Sequence, residues 1–281
     1  MPHVTVNHAD VVALERPTIA THPVLLVGAG PGDPGLLTLH AFNAINQAEV
    51  ILLDALVADP IRALIPAHID VIEVGKRCGK HSMDQRQIER IMVAKARAGA
   101  KVVRLKGGDA MMFGRVGEEM LALQEAGLNY QVVPGVTAAS GLSAYGAMPM
   151  THREVAQGVT LITGHGKQGR VEDWRPFVIA DHTLVIYMGV KQAASIQQGL
   201  LAAGMNPQIP VAIVAQASQI EQQRVVGTLT QLTELAQTPD LPSPAAIIVG
   251  EVVKFHQQLD WFSADQAQLA SFGAKVAKLA M

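Results

Sequence analysis

The stretch GAGPGDPG at 28–35 stands between the apolar run VLLV and the helical pattern LLTLHAFNAI. A buried strand, a glycine-rich turn and a helix in this order are typical of a ligand-binding turn in an α/β sheet. A dinucleotide fingerprint needs a third glycine where this chain has Asp33, and Pro31 and Pro34 lack the N–H groups that hold a pyrophosphate. The turn therefore argues against a phosphate ligand, and an ordinary tight turn without any ligand stays open.

Composition sets the class of protein. The chain has 281 residues, 49% of them hydrophobic and 16% charged, which is enough for one large or two medium domains. Its longest apolar runs, such as TLVIYMGV, fall short of the roughly 18 residues of a membrane span, and no secretory signal opens the chain. A single cysteine, Cys78, excludes an internal disulfide framework. We therefore expect a soluble cytoplasmic protein with no membrane partner.

Several kinds of site find no support in the sequence. The net charge of −2 and 4% aromatic residues give no nucleic-acid footprint. The ten histidines are scattered with no i, i+4 pair, and no C-x-x-C is present, so we expect no metal. The segment VTAASGLS lacks the glycine that a nucleophile elbow needs two residues before Ser140.

Strand-like and helix-like segments alternate through the first half of the chain. This alternation predicts a mostly parallel wrapped sheet whose functional loops lie at the carboxyl ends of the strands. The predicted strands are 24–27, 50–53, 71–74, 102–105 and 130–133, and the predicted helices are 36–48, 84–98 and 116–126.

A second α/β unit is predicted after VVPG, where the alternation of strand-like and helix-like segments is interrupted. Its strands are expected at 158–163, 183–188, 210–215 and 245–249, with helices at 191–203 and 228–237. The small-residue segment that precedes it suits a closely packed helix and a crossing between domains. We thus divide the chain into an N-terminal extension (1–20), an N-terminal α/β domain (21–134), an inter-domain helix and crossing (135–154), a C-terminal α/β domain (155–255) and a C-terminal extension (256–281).

An ordered set of motifs carries more information than the glycine turn alone. The set comprises GAGPGDPG, VRLKGGDAMMFGR, VVPGVTAASG and PMTHR, with VGKRCGKHS, TGH, YMG and SPAAIIVGEVV added to it. This order resembles the tetrapyrrole methylases, a family of class III S-adenosylmethionine-dependent methyltransferases, and within it the uroporphyrinogen-III C-methyltransferases. The resemblance covers about residues 24 to 254.

The resemblance implies a two-domain α/β fold, each domain a mostly parallel or mixed sheet flanked by helices, with the active site in the cleft between them. It also implies the cofactor S-adenosyl-L-methionine, a nucleoside sulfonium without phosphate. Glycines allow the backbone to approach such a ligand closely, and a carboxylate can hold an ammonium or a ribose hydroxyl. By resemblance the cofactor contacts fall on Pro31, Gly107, Gly108, Asp109, Thr137, Ala138, Met188 and Ala245.

The reaction implied is C-methylation of uroporphyrinogen III at C2 and C7 to precorrin-2, which feeds sirohaem, cobalamin or haem d1 synthesis. This substrate is a flexible macrocycle with eight carboxylates, so several guanidinium, ammonium or imidazole groups are expected at one face of its site. The expected groups are Arg153, His152, His165, Lys76 and Arg77. For the lysine-rich loop that holds the last two, a solvated surface is an equally open interpretation.

Two residues are expected at the chemical step. The resemblance places Arg115 and Glu118 near the reacting carbon, and the spacing puts them on one helix face if the helix begins near 115. Arg115 is always charged near neutral pH, so Glu118 is the expected proton acceptor and Arg115 the group that orients the ring. A simple surface ion pair of Arg115 with Glu118 or Glu119 stays open.

Some residues depart from the family pattern, and other functions stay open. Ala110, Met111 and Met112 replace the usual residues after GGD, Ala55 replaces an arginine, and Glu154 replaces an aspartate. No dinucleotide domain precedes residue 24, so fused sirohaem synthases are expected to match poorly. The alternatives are another precorrin methylase, a ribosomal RNA methylase of the same fold, or a catalytically silent nucleotide-binding regulator. A homodimer is expected by resemblance alone.

Overall fold

The computed structural model describes residues 22–75, 83–165 and 171–262. Lys76 and Arg77, the predicted N-terminal extension and most of the predicted C-terminal extension lie outside these ranges. Within them the chain forms two five-stranded sheets flanked by helices, which confirms the predicted fold class.

The first sheet is parallel throughout, with strand order β3-β2-β4-β1-β5. Apolar side chains on its two faces form two separate clusters, because successive residues of a strand point to opposite faces. Its strands are β1 (Val24–Gly28), β2 (Val50–Leu53), β3 (Asp70–Glu73), β4 (Val102–Lys106) and β5 (Tyr130–Val133), and its helices are α1 (Leu39–Gln47), α2 (Asp59–Arg62), α3 (Gln85–Arg97) and α4 (Val116–Glu125).

The order of these strands creates a crevice between β1 and β4. The connection after β1 leads towards β2, whereas the connection after β4 leads to β5 on the other side of β1. Neighbouring loops that leave in opposite directions open a crevice at the carboxyl ends of the strands, where open α/β sheets bind ligands. The sheet order therefore places the glycine-rich turn and the KGGD segment side by side.

The second sheet is mixed, with strand order β6-β7-β10-β8-β9. Only β6 and β7 pair in parallel, and the other neighbours are antiparallel. Its elements are β6 (Gly158–Thr163), β7 (His182–Tyr187), β8 (Pro210–Ala215), β9 (Gln223–Thr228), β10 (Ala245–Val249), α6 (Ala193–Ala202), α7 (Leu232–Leu235) and α8 (His256–Leu259). The boundaries of the two domains stay a prediction.

Helix α5 (Ala138–Tyr145) joins the two halves. Its buried Ala139 and Leu142 belong to the apolar cluster on one face of the second sheet. On its other side a Cβ added at Gly141 would lie 2.7 Å from the Cβ atom of Pro31, so only a glycine allows this approach to the first-sheet turn. The small residues of this segment thus let one helix touch both halves closely.

Asp33 also ties the halves together. It is buried, its Oδ1 accepts the Gly35 N–H at 2.7 Å, and its Oδ2 accepts the Tyr145 hydroxyl at 2.7 Å. Its own N–H donates to Ser218 Oγ at 3.1 Å, in the loop after β8. Burial and the bond to Asp33 raise the pKa of the Tyr145 hydroxyl, which keeps that donor protonated. The residue that breaks the dinucleotide fingerprint is therefore a structural link.

Most predicted elements are present, and the differences have local causes. Strand β9 was missed because its sequence QRVVGT lies at a sheet edge, carries polar residues and lacks a continuous apolar run. Helix α1 begins at Leu39 rather than 36, since Thr38 caps it by accepting the Ala41 N–H at 3.1 Å. The predicted helix 228–237 is a 3-10 turn followed by the short α7.

Backbone packing at the crevice predicts which glycines tolerate a side chain. A Cβ at Gly135 would lie 2.5 Å from the Gly108 oxygen and 2.8 Å from the Gly28 oxygen. We expect Gly135→Ala to lower the free energy of unfolding by about 1–3 kcal/mol through overpacking. The matched control is Gly117→Ala in α4, where the described residues leave the Cβ position open. Urea unfolding should show no decrease in the free energy of unfolding for Gly117→Ala, because alanine favours a helix. An equal decrease in both variants would contradict the role of close packing at Gly135.

Candidate functional site

A cavity of about 490 Å³ lies where the loops after the first-sheet strands meet the second sheet. Its walls include Pro31 after β1, Gly108 after β4 and Ala138 at the start of α5. Met188 and Ala245 close it from the second sheet. The cavity is thus shared by both halves and opens at the crevice that the strand order predicts.

All eight residues predicted to contact the cofactor line this cavity. They come from five separate loops or element ends, so the fold brings together positions that are far apart in the sequence. Their individual contacts with a ligand stay predictions.

A backbone bridge forms one wall of the cavity. The Gly30 N–H donates to the Gly108 oxygen at 3.0 Å, and the Gly108 N–H donates to the Gly30 oxygen at 2.8 Å. Both residues have positive φ, +74° and +66°, a region that favours glycine. The bridge holds the loops after β1 and β4 at a fixed separation.

Asp109 extends this bridge to the loop after β5. Its Oδ2 accepts the Gly135 N–H at 2.9 Å, and its Oδ1 accepts the Met111 N–H at 2.9 Å. The sequence predicted this carboxylate as a cofactor contact. In the structure it lines the cavity and at the same time organises two of the loops that enclose it.

Tyr187 at the end of β7 fastens the second sheet to α5. Its hydroxyl lies 2.8 Å from Thr137 Oγ1 and accepts the Ala139 N–H at 2.9 Å. Its ring meets that of Phe113, with the ring centroids 4.8 Å apart. Because Phe113 belongs to the loop after β4, this one tyrosine contacts both walls of the cavity.

A cluster of buried charges lies behind the cavity. Arg104 Nη2 donates to Asp54 Oδ2 at 3.0 Å, and Arg104 Nε donates to Glu119 Oε1 at 2.9 Å. Lys106 Nζ donates to the same carboxylate at 3.1 and 3.3 Å. Asp54, Arg104 and Lys106 line the cavity, whereas Glu119 is 0% exposed and lies beneath it. Two cations and two anions leave this cluster neutral.

The surroundings tune the charge of these groups. Burial by itself raises the pKa of the Asp54 carboxyl, but Arg104, the Leu56 N–H and Lys106 together hold it below its ordinary value. Burial and the nearby Arg104 charge lower the pKa of the Lys106 ammonium, while Glu119 opposes that shift. Asp54 is therefore an ionised carboxylate that faces the cavity at neutral pH.

Sequence reasoning missed this cluster. Its signal was present, since Arg104 interrupts the apolar run VVRLK of a buried central strand and Glu119 falls on the inner face of α4. A charged residue that is fully buried is rarely unpaired, so each of these two positions predicts a partner. Which partner it has depends on the pairing of distant elements.

Arg115 and Glu118 form a bidentate pair at the rim. Arg115 Nε and Nη2 donate to Glu118 Oε1 and Oε2 at 2.8 and 2.7 Å, with both side chains more than half exposed. Arg115 lines the cavity as the cap residue before α4, and the hydrogen bond from it holds the pKa of Glu118 below its ordinary value. Glu118 is not among the cavity-lining residues. The roles of both residues in the reaction stay predictions.

The described residues predicted to bind substrate are placed elsewhere. Arg153 is exposed, in a turn closed by the pairing of His152 with Ala156. The His152 ring lies 4.5 Å from the Phe255 ring, and His165 Nε2 lies 2.9 Å from Gln192 Nε2. None of the three predicted residues lines the cavity, so their role in holding substrate stays a prediction.

The loop that departs from the family pattern has a defined shape. Ala110 is buried, Met112 lines the cavity and Met111 is 55% exposed. Ala55 lines the cavity as well, where a longer side chain would enter it.

Two classes of feature are absent from the part of the chain that the structure describes. No described helix has both the length and the apolar composition needed to span a bilayer. Within the same ranges, no three histidine, cysteine or carboxylate side chains come together as a metal site would require.

Comparison with known proteins agrees with this architecture. Residues 23–233 match the family model described as Tetrapyrrole (Corrin/Porphyrin) Methylases. The chain is 50% identical over 250 residues to Siroheme synthase 2 of Cronobacter sakazakii, an alignment that covers 89% of this chain and 54% of that protein. The chain thus spans about half the length of this curated relative, and the expectation that sirohaem synthases match poorly is wrong for the aligned residues.

Solved structures show the same arrangement. Uroporphyrin-III C-methyl transferase from Thermus thermophilus, complexed with S-adenyl homocysteine, is 41% identical with a TM-score of 0.71 over 83% of this chain and 93% of that one. A cobalt precorrin-4 methyltransferase is 26% identical with a TM-score of 0.72, over 82% of this chain and 95% of its own.

The Tyr187 hydroxyl provides a test of how the halves are fastened. Tyr187→Phe keeps the ring contact with Phe113 but leaves the Ala139 N–H without its acceptor. We expect the free energy of unfolding to fall by about 1–2 kcal/mol. Tyr130→Phe is the control, because no hydrogen bond to the Tyr130 hydroxyl occurs among the described residues. Equal stability of both variants in chemical denaturation would show that the Tyr187 hydroxyl does not stabilise the contact between the second sheet and α5.

Proposed function

Because the chain belongs to the tetrapyrrole (corrin/porphyrin) methylase family, we propose that it is an S-adenosylmethionine-dependent methyltransferase that converts uroporphyrinogen III to precorrin-2. The observation that carries the proposal is the cavity itself. It combines a crevice lined by Gly30, Gly107 and Gly108, suited to a nucleoside without phosphate, with the Asp54 carboxylate, which lines the same cavity and is placed to accept a proton.

The cavity fits the methyl donor in size and chemistry. Its volume of about 490 Å³ lies within the range of small-molecule sites. Gly30, Gly107 and Gly108 line it without side chains, so this part of the wall is backbone that a nucleoside can approach closely. When bound, S-adenosylmethionine supplies an electrophilic methyl group. Pro31, Gly107 and Asp109 on one side and Met188 and Ala245 on the other would hold it.

The chain's own residues have the remaining tasks. The enclosed site orients an electron-rich pyrrole carbon towards the methyl group and excludes water. The ring system then loses a proton, which needs a base within reach. Asp54 lines the cavity and gives only Oδ2 to Arg104, whereas Glu118 gives both oxygens to Arg115 and is not among the cavity-lining residues. We assign the proton to Asp54 on this geometry and keep Glu118 as the predicted alternative.

A second candidate function lies within the same family. The similarity to a cobalt precorrin-4 methyltransferase favours methylation of a later corrin precursor as the alternative. The cofactor side of the cavity would serve both reactions equally, so the substrate decides between them.

Assembly and location complete the proposal. By the resemblance we propose a cytoplasmic homodimer that acts on a small molecule, with no nucleic-acid or membrane partner. Light scattering of the purified chain measures the mass of the particle, and a mass of one chain would overturn the dimer.

The proposed reaction predicts a defined product. The chain incubated with uroporphyrinogen III and labelled S-adenosylmethionine should yield a product with two added methyl groups, measured by mass spectrometry. Methylation of a later precorrin in the same assay, with none of uroporphyrinogen III, would establish the alternative function instead.

The two candidate bases are distinguished by paired substitutions. We expect Asp54→Asn to lower the single-turnover methylation rate by at least about tenfold, near 1.4 kcal/mol in the barrier, because an amide accepts no proton. Glu118→Gln should cost less, since its partner Arg115 remains charged. S-adenosylhomocysteine affinity, measured by calorimetry, should stay within about twofold in both variants. A larger rate loss in Glu118→Gln than in Asp54→Asn would return the base to Glu118.

A further inference from the structure

Glu119 is a buried carboxylate that the proposed reaction does not use. It lies in the first turn of α4 and has no exposed surface. Arg104 Nε, Lys106 Nζ and, more distantly, Gln85 Nε2 donate to it at 2.9, 3.1 and 3.4 Å. Taking a carboxylate out of water costs several kcal/mol unless its partners compensate. A charge buried at this cost next to a cavity requires an explanation.

Arg104 links Glu119 to the cavity, because the same guanidinium group donates to Glu119 and to Asp54. Besides its bond to Glu119, its Nη2 donates to Asp54 Oδ2 at 3.0 Å. Its Nη1 donates to the backbone oxygens of Leu52 and Leu105, both at 3.3 Å. All three nitrogens of the planar guanidinium have acceptors, so the group is held in one orientation. The place of its Nη2 at Asp54 therefore depends on the place of Glu119.

Asp54 keeps room for a further bond. Its Oδ1 accepts the Leu56 N–H at 3.0 Å and its Oδ2 accepts Arg104. A carboxylate offers about four acceptor positions, so two remain. The side chain is 24% exposed and lines the cavity. The two bonds set the direction in which the remaining positions face.

Lys106 balances the cluster on its other side. Its ammonium group donates to both oxygens of Glu119. A Cβ at Gly114 would lie 3.1 Å from Lys106 Cε, so the lysine passes directly beneath the loop that leads to Arg115. Glu119 thus links the groups under this loop to the carboxylate at the cavity.

We propose that Glu119 is a positioning residue for methyl transfer, which acts through Arg104 to hold the Asp54 carboxylate in its reactive orientation. This inference rests on the proposed function and on the assignment of the proton to Asp54. Glu119 itself touches neither substrate nor cofactor.

A double-mutant cycle between Glu119 and Asp54 tests the proposal. Glu119→Gln keeps the shape but offers one acceptor oxygen where Arg104 and Lys106 use two, and turns an NH₂ group towards a cation. We expect the single-turnover methylation rate to fall about tenfold in the parent chain. In the Asp54→Asn background the same substitution should change the rate less than about twofold, because the carboxylate it positions is gone.

The controls separate positioning from general damage. Glu125→Gln, an exposed position at the end of the same helix, should leave the rate unchanged. S-adenosylhomocysteine affinity should stay within about twofold in Glu119→Gln. A rate loss of equal size in both backgrounds, or no loss in the parent chain, would overturn the proposal.

A second variant covers failure to fold. Lys106→Met/Glu119→Met removes both members of the buried pair, leaves Arg104 and Asp54 balanced in charge, and takes away the acceptor of Arg104 Nε. We expect this variant to fold and still to methylate about tenfold more slowly than the parent chain. Methylation at the parent rate would show that Glu119 serves only to neutralise Lys106, and the proposal would fall.

The contact between Glu119 and Arg104 can also be measured without substrate. The result then does not depend on whether the proposed function is correct. Hydrogen exchange of the Arg104 Nε proton, followed by NMR, measures directly whether Glu119 holds the guanidinium group. We expect exchange at least about tenfold faster in Glu119→Gln than in the parent chain or Glu125→Gln. Unchanged exchange would overturn the proposal that Glu119 holds Arg104 in place. A parent chain that does not methylate uroporphyrinogen III would overturn the proposed function but not the contact between Glu119 and Arg104.

Discussion

The backbone bridge between Gly30 and Gly108 is the constraint on which the rest of the site depends. Two hydrogen bonds join loops that leave neighbouring parallel strands in opposite directions. Both residues lie at positive φ, and the adjoining Gly28 and Gly135 approach so closely that a Cβ would collide with backbone. This close packing fixes the loops, and Gly30, Gly107 and Gly108 then line the cavity with backbone that a ligand can approach.

The second sheet completes this crevice through a few polar contacts. Tyr187 reaches across to α5 and to the Phe113 ring, and Asp33 joins the first turn to Tyr145 and to Ser218. Each contact pairs groups that would otherwise be buried without a partner, so their geometry is narrowly set. The two halves are therefore held at a fixed spacing on either side of the cavity.

Burying charged groups costs free energy, and in this structure the buried charges lie next to the cavity. Arg104, Lys106 and Glu119 are almost inaccessible to water, whereas Asp54 is partly exposed. Apolar residues of similar volume often give equal or greater stability than such a cluster. Its location directly behind Asp54, which lines the cavity, agrees with the positioning role proposed for Glu119 rather than with a role in stability.

The sequence alone determined the alternation of strands and helices, the family, and eight positions that line the cavity, because local patterns and ordered motifs carry that information. The order of strands, the edge strand β9 and the link from Glu119 through Arg104 to Asp54 depended on tertiary structure. Glu119 lies 15 positions and Asp54 lies 50 positions from Arg104 in the sequence, and no local pattern specifies such pairing. Arg115 and Glu118 were foreseen as neighbours because helix geometry is local, but their exposure at the rim was decided by where α4 packs.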